Sequence, residues 1–147
     1  MEKGFTIDRA TKRTIIRIAE YLLTPGEINL SWNDISNVML QDGKTVIAFG
    51  SGTGKNRGVK ACNSALSNYR IASRAANKPT RLLFHLIGPK NLLLKEVNDA
   101  REMIEKSVYP TSRVVFGVAR DDKVSDEVRI TILATGEDTY KKQLNHI

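Results

Sequence analysis

The stretch Thr45–Arg70, "TVIAFGSGTGKNRGVKACNSALSNYR", decides the fold class. Thr45 to Phe49 is apolar without alternation, the pattern of a strand buried on both faces. A glycine-rich turn, Gly50 to Asn56, follows. From about Arg57 to Ser73, Val59, Cys62, Leu66 and Tyr69 recur at spacings of three and four, which predicts a helix with one buried stripe. Strand, glycine turn, helix is also the arrangement in which backbone N–H groups cradle a phosphate. Against the P-loop pattern the stretch fails twice. Phe49 holds the first glycine position, and Asn56 stands where a hydroxyl must reach Mg²⁺. The glycines are therefore read as a turn with Asn56 as helix cap, and Lys55 and Arg57 make a weak anion site at that helix start a secondary reading.

Upstream, Ile15, Ile18, Ala19, Leu22 and Leu23 mark an amphipathic helix ending at Thr24-Pro25-Gly26. Ser31-Trp32-Asn33-Asp34 has the form of a capping box, with Ser31 as N-cap and Asp34 three residues on. Trp32, Ile35, Val38 and Met39 would supply the apolar face of a short helix. Downstream, Arg81 to Ile87 is a second continuous strand. Leu93, Val97, Ala100, Ile104 and Val108 then define a helix, with Glu102 and Lys106 spaced to pair. Arg113 to Ala119 and Val128 to Thr135 are the last strands, the second alternating Val128, Ile130, Ile132 and Ala134 against Arg129, Thr131 and Leu133, and they are joined by a polar loop, Asp121 to Glu127, read as a hairpin. The sum is one α/β (α+β) domain, a four-stranded mixed sheet with helices packed on it.

With 41% hydrophobic and 27% charged residues, the composition is that of a globular domain. No run reaches the roughly 20 apolar residues of a membrane-spanning helix, no signal peptide is recognisable, and a cytoplasmic location is expected. One thiol, Cys62, and two histidines, His85 and His146, leave no donor set for a structural metal. They also offer no nucleophile–base pair, so a free-standing enzyme is a weak reading. Asp121 and Asp122 are explained by solvation. His85, alone in an apolar strand, reads as structural. The net charge of +7 is concentrated: between Asp42 and Glu96 there is no acid, against ten Lys and Arg. On the helix from Arg57, the residues Lys60, Asn63, Ser67, Arg70 and Arg74 share one face. With Lys55 and Arg57 they form a candidate patch for phosphates, although no aromatic residue is interleaved for stacking.

The segments "LLTPGEINLSWNDISNVM" (Leu22 to Met39), "TGKNRGVKA" (Thr53 to Ala61), "LLLKEVNDAREMIEKS" (Leu92 to Ser107) and "RVVFGVARDDKVSDEVRITILATG" (Arg113 to Gly136) carry a family resemblance. In order and spacing they resemble the C-terminal domain of FtsZ, within the FtsZ/tubulin superfamily, and cover almost the whole chain. The resemblance implies that residues 1–25 are the end of the central interdomain helix. It implies that 26–136 form the C-terminal-like domain with a synergy loop at 26–35, and that 137–147 are a flexible tail. A GTP-binding domain precedes this unit in the family, and the chain reads as the half without it, whether excised or naturally separate. Neither half is a GTPase alone. GTP with its Mg²⁺ sits on the partner subunit or the other domain, no cofactor or metal is held here, and the active site forms between subunits.

The implied partners are a GTP-binding domain or the neighbouring filament subunit, in a homo-oligomer or filament that serves septum formation in cell division. In the family the loop contributes an Asn and two acids in the form N-x-D-x-x-D. Here Asn29 and Asp34 match, and Ser31 replaces the first acid. A hydroxyl caps a helix as well as a carboxylate does but cannot replace its charge, so weakened action on the neighbour's nucleotide is expected. Two further departures are Pro89, where a second glycine is usual, and His85, where Asn is common. The resemblance also aligns Gly50 to Asn56 with the turn into the domain's first long helix rather than with the tubulin-type nucleotide signature, which precedes the synergy loop. The alternative is a stand-alone regulatory or binding module that caps filaments, or binds nucleic acid or an anionic membrane through the basic face.

Overall fold

The computed structural model describes residues 4–6, 18–39, 44–74 and 78–136. In chain order these hold β1 (Gly4–Thr6), a helical turn at 18–22, α1 (Trp32–Met39), β2 (Lys44–Thr53), α2 (Arg57–Ser73), β3 (Arg81–Gly88), α3 (Leu94–Lys106), β4 (Arg113–Arg120) and β5 (Glu127–Gly136). The four expected strands are present, and β1 adds a short fifth at one edge, giving the order β1-β2-β5-β3-β4. The strand at 4–6 corrects the reading of 1–25 as helix throughout. Gly4-Phe5-Thr6 pairs with Val46–Ala48, on the side of β2 that has no other partner. Helix is present at 18–22, and Ile15 and the tail 137–147 lie outside the described residues.

The polar loop after β4 does not make a hairpin. β5 crosses β3 and enters between β2 and β3, antiparallel to both, while β3 and β4 run parallel through α3. That placement explains its composition. A strand with neighbours on both edges and helices on both faces must be apolar, and Ile130 to Thr135 are buried on both faces. Thr131 and Thr135 are tolerated because their hydroxyls are small, and the Thr135 hydroxyl bonds the Val38 carbonyl at 2.7 Å.

Two cores result. On one face α2 and α3 bury Ala61, Cys62, Ala65, Leu66, Val97 and Ile104 against the inward residues of the strands. On the other, the turn at 18–22 and α1 bury Leu22, Ile35 and Val38 against Ile47, Leu83 and Leu133. Burial pushes the Cys62 thiol up to about 12, so it is an inert hydrophobe. The expected helix faces need three adjustments. Trp32 is 54% exposed, and Leu93 is exposed while Leu92 is buried in its place. On α3 the i,i+4 ion pair that forms is Arg101–Glu105, at 2.9 Å, rather than Glu102–Lys106.

The quoted stretch also behaves differently from its reading. Gly50 to Thr53 is not a turn but the second half of β2. A Cβ on Gly50 would lie 2.3 Å from the Ala65 nitrogen, and one on Gly52 would lie 2.2 Å from the Arg57 carbonyl oxygen. The glycines let α2 settle directly on the strand through Ala61 and Ala65. Only Gly54 to Asn56 turns the chain. Asn56 occupies the N-cap position in the left-handed region, at φ 60, and makes no side-chain cap bond.

Candidate functional site

The segment 24–35 is built by short-range bonds and then pinned to β4. The Thr24 hydroxyl donates to the Tyr21 carbonyl at 2.8 Å, closing the helical turn before Pro25. Asn29 Oδ1 accepts the Gly26 N–H at 2.8 Å and folds the loop back on itself. Gly26 crosses β4 so closely that a Cβ would lie 2.3 Å from the Val118 carbonyl oxygen. The Glu27 amide donates to Val118 O at 2.8 Å, and the Val118 amide returns a bond to Ile28 O at 2.9 Å. Arg120 ion-pairs with Glu27 and donates to the carbonyls of Lys90 and Leu92, each at 2.6 Å. Leu30 is buried beneath.

The capping box forms as read. Ser31 Oγ accepts the Asp34 N–H at 3.1 Å, and Asp34 Oδ2 accepts the Ser31 N–H at 2.8 Å. One Asp34 oxygen is thus fixed by the backbone while Oδ1 carries no hydrogen bond among the described residues. The Asn29 side-chain amine is equally uncommitted. Asn29 and Ser31 are exposed and Asp34 is half-buried, all in the segment that leads into α1. Large apolar side chains stand exposed in the same stretch of chain: Tyr21 at 41%, Ile28 at 40% and Trp32 at 54%. An oriented carboxylate, an amide and a hydroxyl beside exposed apolar residues suit a contact surface better than a pocket for a small molecule.

His85 lies at the level of this loop, in register with Gly117 on one side and Thr131 on the other. It is 2% exposed and meets Tyr21 edge to face at 5.7 Å. Its Nδ1 has no hydrogen-bond partner among the described residues, and burial holds its pKa below the ordinary value, favouring the neutral ring. The ring is packed into the core as a structural histidine would be, but its buried Nδ1 is not satisfied as that reading expects.

The basic patch is only partly assembled. Lys60, Arg70 and Arg74 are exposed on α2, on the opposite side of the sheet from the loop, with Lys55 exposed at the preceding turn. Lys60 Nζ donates to the Thr53 carbonyl at 3.2 Å. Arg57 does not belong with them, being 7% exposed and held by carboxylates. Its Nε meets Glu96 Oε1 at 2.7 Å, Nη2 meets Glu96 Oε2 and Asn91 Oδ1 at 3.1 Å each, and Nη1 meets Asp126 Oδ1 at 3.3 Å. The Arg57 hydrogen bond is the main reason Glu96 titrates below the usual carboxylate range. Asp126 also accepts the Gly54 N–H at 3.1 Å. The anion site considered at the start of α2 is therefore filled by the protein's own acids. Sequence reading missed this network because the partners of Arg57 lie 34 to 69 residues away, and nothing local signals them. Among the described residues no helix is long and apolar enough to cross a membrane.

Comparison with known proteins gives a consistent picture. Residues 43–138 match the FtsZ family, C-terminal domain. The cell division protein FtsZ of Mycoplasmopsis pulmonis is 31% identical over 135 residues, covering 92% of this chain and 34% of that protein. The cell division protein FtsZ of Caulobacter vibrioides is 29% identical over 131 residues, covering 89% of this chain and 26% of that protein. The chain thus spans about a third or less of the curated relatives it matches. Among solved structures, an empty FtsZ dimer from M. jannaschii superposes with a TM-score of 0.67 at 22% identity, covering 88% of this chain and 41% of that one. At that identity the likeness speaks for the fold.

Proposed function

The chain belongs to the FtsZ family, matching its C-terminal domain, and from that premise we propose that it forms the lower contact face of a filament subunit. In this reading the loop at 26–35 closes over GTP and Mg²⁺ bound to the next subunit and promotes hydrolysis there. The observation that carries the reading is the Ser31–Asp34 capping box, two residues after the exposed Asn29. Its acid is oriented by a backbone amide, and exposed apolar side chains stand beside it. A carboxylate fixed in this way can orient a water without reorganising during the reaction. Ser31 supplies a hydroxyl where a second charge would help, so the loop acts weakly.

The test is to join the chain to a GTP-binding domain of the family, or mix it with a polymerising full-length relative, and follow GTP turnover and filament length. Asp34→Ala is expected to lower turnover at least tenfold, on the scale of one positioned acid–base group. Ser31→Asp is expected to raise it, while circular dichroism stays unchanged because Asp also caps. If both variants turn over GTP like the parent, the loop has no such role. Unchanged filament length and turnover on adding the free chain would exclude a capping action as well.

A further inference from the structure

The arginines among the described residues fall into two groups. Arg57, Arg101, Arg120 and Arg129 each hold a carboxylate. Arg70, Arg74, Arg81 and Arg113 hold none among the described residues, and all four lie at one end of the sheet, where α2 finishes and β3 and β4 begin. Two of them are placed in an unusual way. Arg81 and Arg113 are direct register partners on adjacent parallel strands. Their backbones are therefore about 4.8 Å apart and their side chains leave the same face of the sheet. Like charges set side by side on one face oppose each other, so the pair works against stability unless something anionic sits between the two.

The surroundings suit such a guest. Arg81 and Arg113 line a shallow hollow under α1, together with Asn37, Asp34, Val38 and Val115. Two guanidinium groups from register-paired positions, with Asn37 in the same lining, supply the planar N–H donors that suit a tetrahedral oxyanion. The acid in the lining, Asp34, holds one oxygen on the Ser31 amide and, among the described residues, forms no ion pair with either arginine, so it does not neutralise them. We infer that the Arg81–Arg113 pair is a binding site for a phosphate group, carried by a small phosphorylated molecule or a lipid headgroup. The site lies apart from the exposed face of α2; it shares Asp34 with the loop at 26–35, but its donors, Arg81 and Arg113, have no part in the proposed action of that loop.

The test uses the full isotope-labelled chain, titrated with inorganic phosphate at constant ionic strength and followed by amide and arginine side-chain NMR signals. Saturable shifts confined to Asn37, Arg81, Arg113 and their neighbours are expected. Arg81→Gln or Arg113→Gln should each weaken binding about tenfold, the scale of one charge-assisted hydrogen-bonded group. Arg70→Gln with Arg74→Gln should leave it unchanged. Phosphate should also raise the Tm of the parent and not that of the Arg81→Gln/Arg113→Gln double variant, which separates binding from misfolding. Phosphatidylcholine vesicles doped with phosphatidic acid distinguish the sources. Co-sedimentation lost in the double variant identifies a headgroup, whereas saturable phosphate binding without co-sedimentation identifies a soluble ligand. Shifts that never saturate, or that spread equally over Arg70 and Arg74, overturn the proposal. So does retention of a single-stranded oligonucleotide through Arg70 and Arg74 with no phosphate binding at Arg81 and Arg113.

Discussion

The two ends of the sheet use the same side chains for opposite purposes. Where β2, β3 and β4 finish and β5 begins, charges are matched: Arg57 with Glu96 and Asp126, Arg120 with Glu27, Arg129 with Glu127, Lys90 with Asp122. At the end where β3 and β4 begin, Arg81 and Arg113 stand together with no described carboxylate bound to them. The difference lies in burial as much as in pairing. Arg57 is enclosed, so its partners hold helix starts and loops in place, whereas Arg113 is exposed and costs little to leave unmatched. One end is organised to hold the fold together and the other to meet something else.

The largest effect is expected from Arg57→Ala. Glu96 and Asp126 would lose their shared cation and Asn91 its donor, an uncompensated break of a largely buried ion pair worth about 3 kcal/mol, read by urea denaturation. A result within error of the parent would mean that the matched end contributes nothing special. Next is the pH dependence. Glu96 has its folded pKa lowered, so the stability it contributes is complete above its ordinary value of 4.5 and is lost as the pH falls through the lower folded value. The parent should therefore weaken more steeply than Glu96→Gln below pH 4.5, with the urea midpoint as the measure. The smallest effect is expected at the unmatched end. Arg113→Gln should raise stability by a few tenths of a kcal/mol in low salt, and added salt should erase the gain. A loss of stability there would mean that Arg113 has a partner of its own and that the two ends do not differ in kind.

Much of this was legible in the sequence where the signal was local. The Ser31–Asp34 box, the limits of α2 and the buried run of β3 all follow from spacings of a few residues, and each forms as read. The readings that failed depended on distant partners. Gly50 and Gly52 look like a turn because glycine is most often needed there. Their actual purpose, admitting Ala61 and Ala65, is visible only once α2 is laid on β2. Arg57 looked like one more cation in an acid-free stretch until Glu96 and Asp126 were brought to it across the fold. Likewise, the adjacency of β4 and β5 in sequence suggests a hairpin and the alternation from Val128 suggests one buried face, whereas the central position of β5 buries Ile130 to Thr135 on both. For the candidate site, residue types and capping geometry were readable. Its pinning to β4 through Ile28 and Val118 was not.

The central position of β5 bears on how the chain comes to be folded at all. β2 and β3 stand two places apart, and the gap between them is filled by the segment made last of all the strands. Until residues 127–136 leave the ribosome, the earlier strands can form only separate pairs, β1 with β2 and β3 with β4, each with an open apolar edge. Completion therefore waits on contacts between residues as far apart as Lys44 and Gly136, a topology that favours late, concerted closure over stepwise growth during synthesis.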